Sequence, residues 1–263
     1  MFYAPAMSQL LVGMLHLPPL PGSPRSRASL DAIENEILTA ARVLEGAGFD
    51  AVILENYGDV PFYKERVAAV TVASMSRLAS AVRRNTALRL GINVLRNDTD
   101  SALAVAFAAG GDFVRVNVHV GSTATDQGVI EGRAAETLRR RAALGAGVEI
   151  WSDVHVKHGR SLAHATIEAE AEDAVLRGLA DALIVSGRAT GEPASLDEVR
   201  RVKALGLSVP IYVGSGASEH NVREVLAVSD GVIVGTALKE EGRTTNPIDR
   251  ERAVRFVARA RGL

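Results

Sequence analysis

Residues 209–216 read VPIYVGSG and residues 231–238 read GVIVGTAL. Each is a short apolar, β-branched run that stops in small residues, as a buried strand does when its end must admit something close to its backbone. Small residues at the ends of the last two strands of a strand/helix repeat are how a (β/α)8 barrel commonly holds a phosphate group. The fold therefore turns on how many strands precede these two, and the function on what meets at their ends.

Six similar runs come earlier, at 11–17, 51–56, 88–94, 113–119, 149–156 and 182–187. Stretches rich in Ala, Leu, Glu and Arg separate them, with helical periodicity at 30–46, 63–84, 131–144, 195–205 and 250–261. Such stretches are long enough to be right-handed crossovers between parallel strands. The expectation is an α/β chain: a single (β/α)8 TIM barrel with parallel strands, residues 1–263 forming one domain. An open doubly wound sheet is the structural alternative. A length of 263 residues with 47% hydrophobic content suits one large core.

Composition narrows the function classes. A formal net charge of −1 offers no general attraction to nucleic acid or anionic lipid. Aromatic content of 4%, with Trp151 the one tryptophan, argues against a stacking platform for single strands. Absence of cysteine rules out a disulfide framework, a thiolate nucleophile and sulfur ligation, and suits the cytoplasm. The first 24 residues are uncharged but hold five prolines and no basic leader, so neither a signal peptide nor a stable membrane-inserted helix is expected. Peripheral membrane contact and homo-oligomer formation stay open.

Polar residues stand where strand ends should be apolar. His16 closes the first strand, Glu55 and Asn56 the second, and Asn93 the third. Arg115, Asn117 and His119 alternate along the fourth, and Asp153, His155 and Lys157 along the fifth. A side-chain period of two sends each triplet to one side of its strand, which in a closed barrel can be the lumen mouth. Asp153 and His155 could act as base and acid, or could supply two ligands of a divalent metal with His16 or Glu55 completing the shell. Taken singly, each histidine reads equally well as a hydrogen-bonded residue at a core edge. Lys157 is one of only four lysines. It could form a Schiff base with a carbonyl, hold a phosphate or carboxylate as a point charge, or lie on a surface loop.

Across the mouth, Ser186 and Gly187 begin a polar loop running through 188–191, expected to line the ligand. Gly214, Ser215 and Gly216 allow close backbone approach, and Gly235 with Thr236 can open a short helix whose amides favour an anion. A small phosphorylated ligand follows. Flavin mononucleotide is a weaker reading, because the same paired seat serves it in other barrels. The proline-rich stretch 16–25 (HLPPLPGSPR) could stiffen a lid or an interface, or simply a loop.

These segments resemble the BtpA/SgcQ family along nearly the whole chain: 13–24 (GMLHLPPLPGSP), 55–62 (ENYGDVPF), 91–98 (GINVLRND), 114–117 (VRVN), 125–132 (TDQGVIEG), 153–158 (DVHVKH), 182–191 (ALIVSGRATG), 213–216 (VGSG) and 231–239 (GVIVGTALK). The resemblance implies a TIM-type barrel. It also brings a name taken from a cyanobacterial factor needed for photosystem I to accumulate, whereas other members resemble components of sugar-uptake gene clusters. Tyr57 stands where similar chains often have Phe, and Arg188 where Lys is frequent. Two functions follow as expectations. One is an isomerase, epimerase or lyase acting on a small phosphorylated sugar or nucleotide-like compound, with Asn93, Arg115, Asn117, Ser186 and Gly187 contacting substrate. The other is a non-catalytic biogenesis or stability factor for a membrane complex such as photosystem I.

Overall fold

The computed structural model describes residues 9–187 and 193–263. Its centre is a closed barrel of eight parallel strands. In chain order these are β1 (Leu10–His16), β2 (Ala51–Glu55), β3 (Arg89–Asn93), β4 (Phe113–Val116), β7 (Glu149–Val154), β9 (Ala182–Val185), β10 (Ile211–Val213) and β11 (Gly231–Val234). Strand β1 pairs with both β2 and β11, which closes the ring. The remaining three, β5 (Ser122–Thr125), β6 (Gly128–Glu131) and β8 (Gly159–Ser161), make a small antiparallel sheet in the order β6-β5-β8. It lies in the loops after β4 and β7, on the rim where strands end.

Helices fill the crossovers: α1 (Leu30–Ala47), α2 (Ala69–Asn85), α3 (Thr99–Ala109), α4 (Ala134–Ala143), α5 (Ile167–Glu172), α6 (Leu196–Ala204), α7 (Val222–Leu226) and α8 (Arg250–Arg261). Side-chain caps start several of them. Ser29 accepts from the Ala32 amide, Ser195 from Glu198 and Asp249 from Arg252, each satisfying a donor that the first turn leaves unpaired.

Element bounds depart from the sequence reading at several places, some of them where a hydrogen bond competes. The helix expected from 63 begins at Ala69, because the Val67 amide donates to Asp98 Oδ2 (2.9 Å) and the Tyr63 carbonyl accepts from Arg96. The helix expected from 131 begins at Ala134, because 128–131 is the second strand of a hairpin. The fourth barrel strand stops at Val116. There the Asn97 side chain takes over the ladder, donating to the Val118 carbonyl (2.9 Å) and accepting from its amide (2.8 Å). The fifth ends at Val154, since His155 turns to φ +50°. The last strand ends at Val234, and Thr236–Leu238 forms one 3-10 turn.

Alternation divides the apolar residues into two layers. Leu11, Val52, Leu54, Leu90 and Val114 face outward into the helices, and Val12, Met14, Ile53, Phe113, Trp151, Ile184, Tyr212 and Ile233 fill the lumen. Trp151 stacks on Phe113 with ring centroids 3.6 Å apart and tilts against Tyr212 at 4.6 Å. Gly91 makes room for that stack, since a Cβ there would lie 2.1 Å from the Phe113 ring. The lumen is thus plugged by aromatic rings, and any ligand must sit above them. Among the described residues no helix is long and apolar enough to cross a membrane.

Candidate functional site at the barrel mouth

The polar residues of the mouth stand two positions beyond lumen-filling ones: His16 above Met14, Glu55 above Ile53, Arg115 above Phe113, Asp153 above Trp151, Ser186 above Ile184, Gly214 above Tyr212 and Gly235 above Ile233. The period of two that buries the apolar residue also delivers the polar one to the same face.

Arg115 and Asp153 form the floor. Arg115 Nε lies 3.0 Å from Asp153 Oδ1 and its Nη2 lies 3.2 Å from Oδ2, with both side chains almost wholly buried. Asn117 Nδ2 donates to Asp153 Oδ2 at 2.7 Å, and Asn93 Nδ2 to the Arg115 carbonyl at 3.1 Å. Burial works to discharge Arg115, but the nearby Asp153 and Glu55 charges outweigh it and raise its pKa. Ser186 Oγ lies at 3.5 Å from Arg115 Nη2, and the Gly187 amide donates to Ser215 Oγ at 2.7 Å.

Two cavities open above this floor. One of about 240 Å³ is bordered by Gly214, Ser215, Gly216, Gly235 and Thr236, with Arg115 at its base. The amides of Gly216, Thr236 and Ala237 enter no backbone hydrogen bond among the described residues. A Cβ on Gly235 would lie 2.7 Å from His16 Cε1, and one on Gly214 would lie 2.6 Å from Ser186 Oγ. The second cavity, of about 580 Å³, is walled by Leu17, Pro18, Pro19, Tyr57, Phe62 and Leu95 and edged by charged groups. His16 and Lys157 border both cavities.

Those two shared residues have unusual electrostatics. Burial, and then the charges of Lys239, Lys157 and Arg115, drive the His16 imidazole well below the ordinary histidine range. His16 Nε2 lies 3.9 Å from Glu55 Oε1, and its ring packs on Tyr57 with centroids 4.8 Å apart. Its buried Nδ1 has no hydrogen-bond partner among the described residues. Burial, and then Arg115, lowers the pKa of Lys157. The site therefore holds a neutral imidazole, a buried carboxylate in Glu55, and an amine displaced toward its nucleophilic form.

Three expectations are corrected. His155 does not share a face with Asp153. Its positive φ turns the imidazole outward, 3.8 Å from Glu170 on α5, and it borders neither cavity. His119 likewise borders neither cavity, donating from Nε2 to the Gly178 carbonyl at 2.7 Å. A metal shell of Asp153 and His155 with His16 or Glu55 is not assembled, because Arg115 and Asn117 take up the Asp153 oxygens and His155 points elsewhere. Among the described residues no three His, Cys, Asp or Glu side chains gather as metal ligands do. The loop expected at 188–191 lies outside the described residues.

Sequence reasoning missed Arg96 and Lys239, which border the larger cavity and are 5% and 6% exposed. Lys239 carried the same signal as Lys157, a rare lysine just past a strand. Arg96 lies in the family-bearing segment 91–98, but nothing in its spacing set it apart from the other arginines of an arginine-rich chain.

A model of the BtpA family matches residues 7–262. The chain is 43% identical to an uncharacterized protein of Methanocaldococcus jannaschii, covering 96% of this chain and 95% of that one. It is 41% identical to the photosystem I biogenesis protein BtpA of Synechocystis, over 96% and 88% of the two chains. Among solved structures it is similar in fold to N-(5'-phosphoribosyl)anthranilate isomerase of Pyrococcus furiosus (TM-score 0.58, 14% identity, 97% and 100% coverage). It is also similar to orotidine 5'-phosphate decarboxylase of Pyrococcus horikoshii (TM-score 0.60, 15% identity, 96% and 100% coverage). At those identities the structural likeness concerns the barrel alone, whereas the sequence matches extend end to end: the chain belongs to the BtpA family.

Proposed function

We propose that the protein is an enzyme acting on a small phosphorylated sugar or nucleotide-like compound, by isomerisation, epimerisation or bond cleavage. One observation carries this reading: the two cavities meet at His16 and Lys157. A phosphate in the smaller one, held by the backbone at 214–216 and 235–236 and facing Arg115, would leave the rest of the molecule in the larger one. Its reacting atoms would then sit between an amine and an imidazole backed by Glu55. The names of the two structural neighbours, each carrying a 5'-phosphate, are in keeping with such a seat.

In this reading Lys157 takes a proton or attacks a carbonyl. Neutral His16 and Glu55 handle proton traffic on the facing wall. Asp153 holds Arg115 in place, and Arg115 stabilises negative charge as it develops. Asp153 is thus a positioning residue, and His155 has no part in the chemistry.

Thermal-shift measurements with inorganic phosphate, sugar phosphates and nucleotides test the proposal. A ligand at 100 times its Kd stabilises by about 2.7 kcal/mol. No shift from any phosphorylated compound at millimolar concentration would remove it. Borohydride trapping of a carbonyl ligand on Lys157 separates Schiff-base chemistry from proton transfer. An assembly factor without catalysis would tolerate Lys157→Met in a complementation assay, and an enzyme would not.

A further inference from the structure

Arg96 is a buried arginine with one side-chain hydrogen bond among the described residues. It is 5% exposed and borders the larger cavity. Of the five N–H donors a guanidinium carries, one has a partner among the described residues: Nη2 donates to the Lys157 backbone carbonyl at 2.8 Å. The buried Nε has no partner, and no carboxylate is ion-paired with Arg96 among the described residues. Asp153, Asp126 and Glu55 act on it only from a distance.

A buried cation left in this way is costly, and the usual escape, loss of the proton, is closed to arginine. The cavity's other charged groups are of both signs, Glu36 and Glu55 among them. Lys157 and Lys239 border the same cavity, and neither is ion-paired with a carboxylate among the described residues. A cost of this kind is retained where a ligand supplies the missing charge, and the planar guanidinium fork matches a carboxylate or phosphate edge. The same cavity has apolar lining from Leu17, Tyr57, Phe62 and Leu95.

We infer that Arg96 is a second anion subsite, so that the substrate bears two anionic groups: a phosphate at 214–216 and 235–236, and a carboxylate or second phosphate on Arg96. The placement of the first group rests on the function proposed above. The second stands on Arg96 itself.

Titration calorimetry on the full chain decides the matter, using inorganic phosphate, glucose phosphate, gluconate, phosphogluconate and fructose bisphosphate as probes. Phosphogluconate or fructose bisphosphate should bind at least about tenfold more tightly than glucose phosphate, and which of them gains tells carboxylate from phosphate. Arg96→Met should erase that excess while leaving the affinity for inorganic phosphate within about twofold. Arg96→Lys, checked for folding by circular dichroism, should keep part of it and guards against a variant that fails to fold. An excess that survives Arg96→Met, or no excess in the wild type, would overturn the subsite. Should gluconate bind in an Arg96-dependent way while inorganic phosphate and glucose phosphate do not bind, the phosphate seat falls and the Arg96 subsite stands. Binding of none of the probes ends both.

Discussion

Arg115 and Asp153 meet through three hydrogen bonds, at 3.0, 3.2 and 3.3 Å, beneath the mouth of the barrel, and both side chains are almost wholly buried. The pair converts what alternation alone presents as two candidate reactive groups into one fixed support. Removing one partner of a buried ion pair leaves the other charge stranded. Asp153→Ala should therefore destabilise the fold by about 3–5 kcal/mol in urea unfolding. A loss below about 1 kcal/mol would show that the pair is not structural.

His16 should make stability depend on pH in a defined direction. In the folded chain, burial and the charges of Lys239, Lys157 and Arg115 hold its pKa well below the unfolded value of about 6.5. As pH falls below about 6.5 the unfolded chain gains a proton that the folded chain refuses, so stability is flat above that pH and declines beneath it. His16→Gln should remove up to about 1.4 kcal/mol per pH unit of that decline. Urea midpoints at about pH 7.5 and 5.5 check this, and an unchanged slope in the variant would contradict it.

Lys157→Met should abolish turnover once a substrate is found and yet raise the melting temperature. The amine is held in a place where burial and Arg115 oppose its charge, and relieving such a site stabilises by about 0.5–2 kcal/mol. Calorimetric scans of the two proteins without ligand suffice, and a lower melting temperature in the variant would count against a strained amine.

Gly235→Ala tests the seat. The added methyl would lie 2.7 Å from His16 Cε1 and must push the imidazole aside. Overpacking of this kind costs about 1–3 kcal/mol. Affinity for inorganic phosphate should fall at least about tenfold with it. Wild-type phosphate affinity in the variant would place the anion elsewhere.

Much of the barrel was legible because its signals are local. Runs such as 51–56 and 231–238 are too short and too β-branched for helices, and the stretches between them repeat at the helical period. The rim positions of His16, Glu55 and Asn93 followed from where those runs end, and those of Arg115 and Asp153 from counting in twos along theirs. Counting failed where a strand ended early. One residue past the true end of β7 the backbone of His155 is left-handed, and alternation no longer says where its side chain goes. The end of β4 was hidden for a related reason: Asn97, from the loop after β3, caps it at Val118.

The sequence by itself determined the repeat, the closed fold that the repeat favours, and the family, because periodicity and motif order are properties of neighbouring residues. Tertiary structure alone decided which polar groups remain available. Asp153 is taken by Arg115, 38 positions earlier, whereas Arg96 stays buried with no ion-paired carboxylate among the described residues. Pairing between charges depends on distances across the barrel, and those are set only when the strands close on one another.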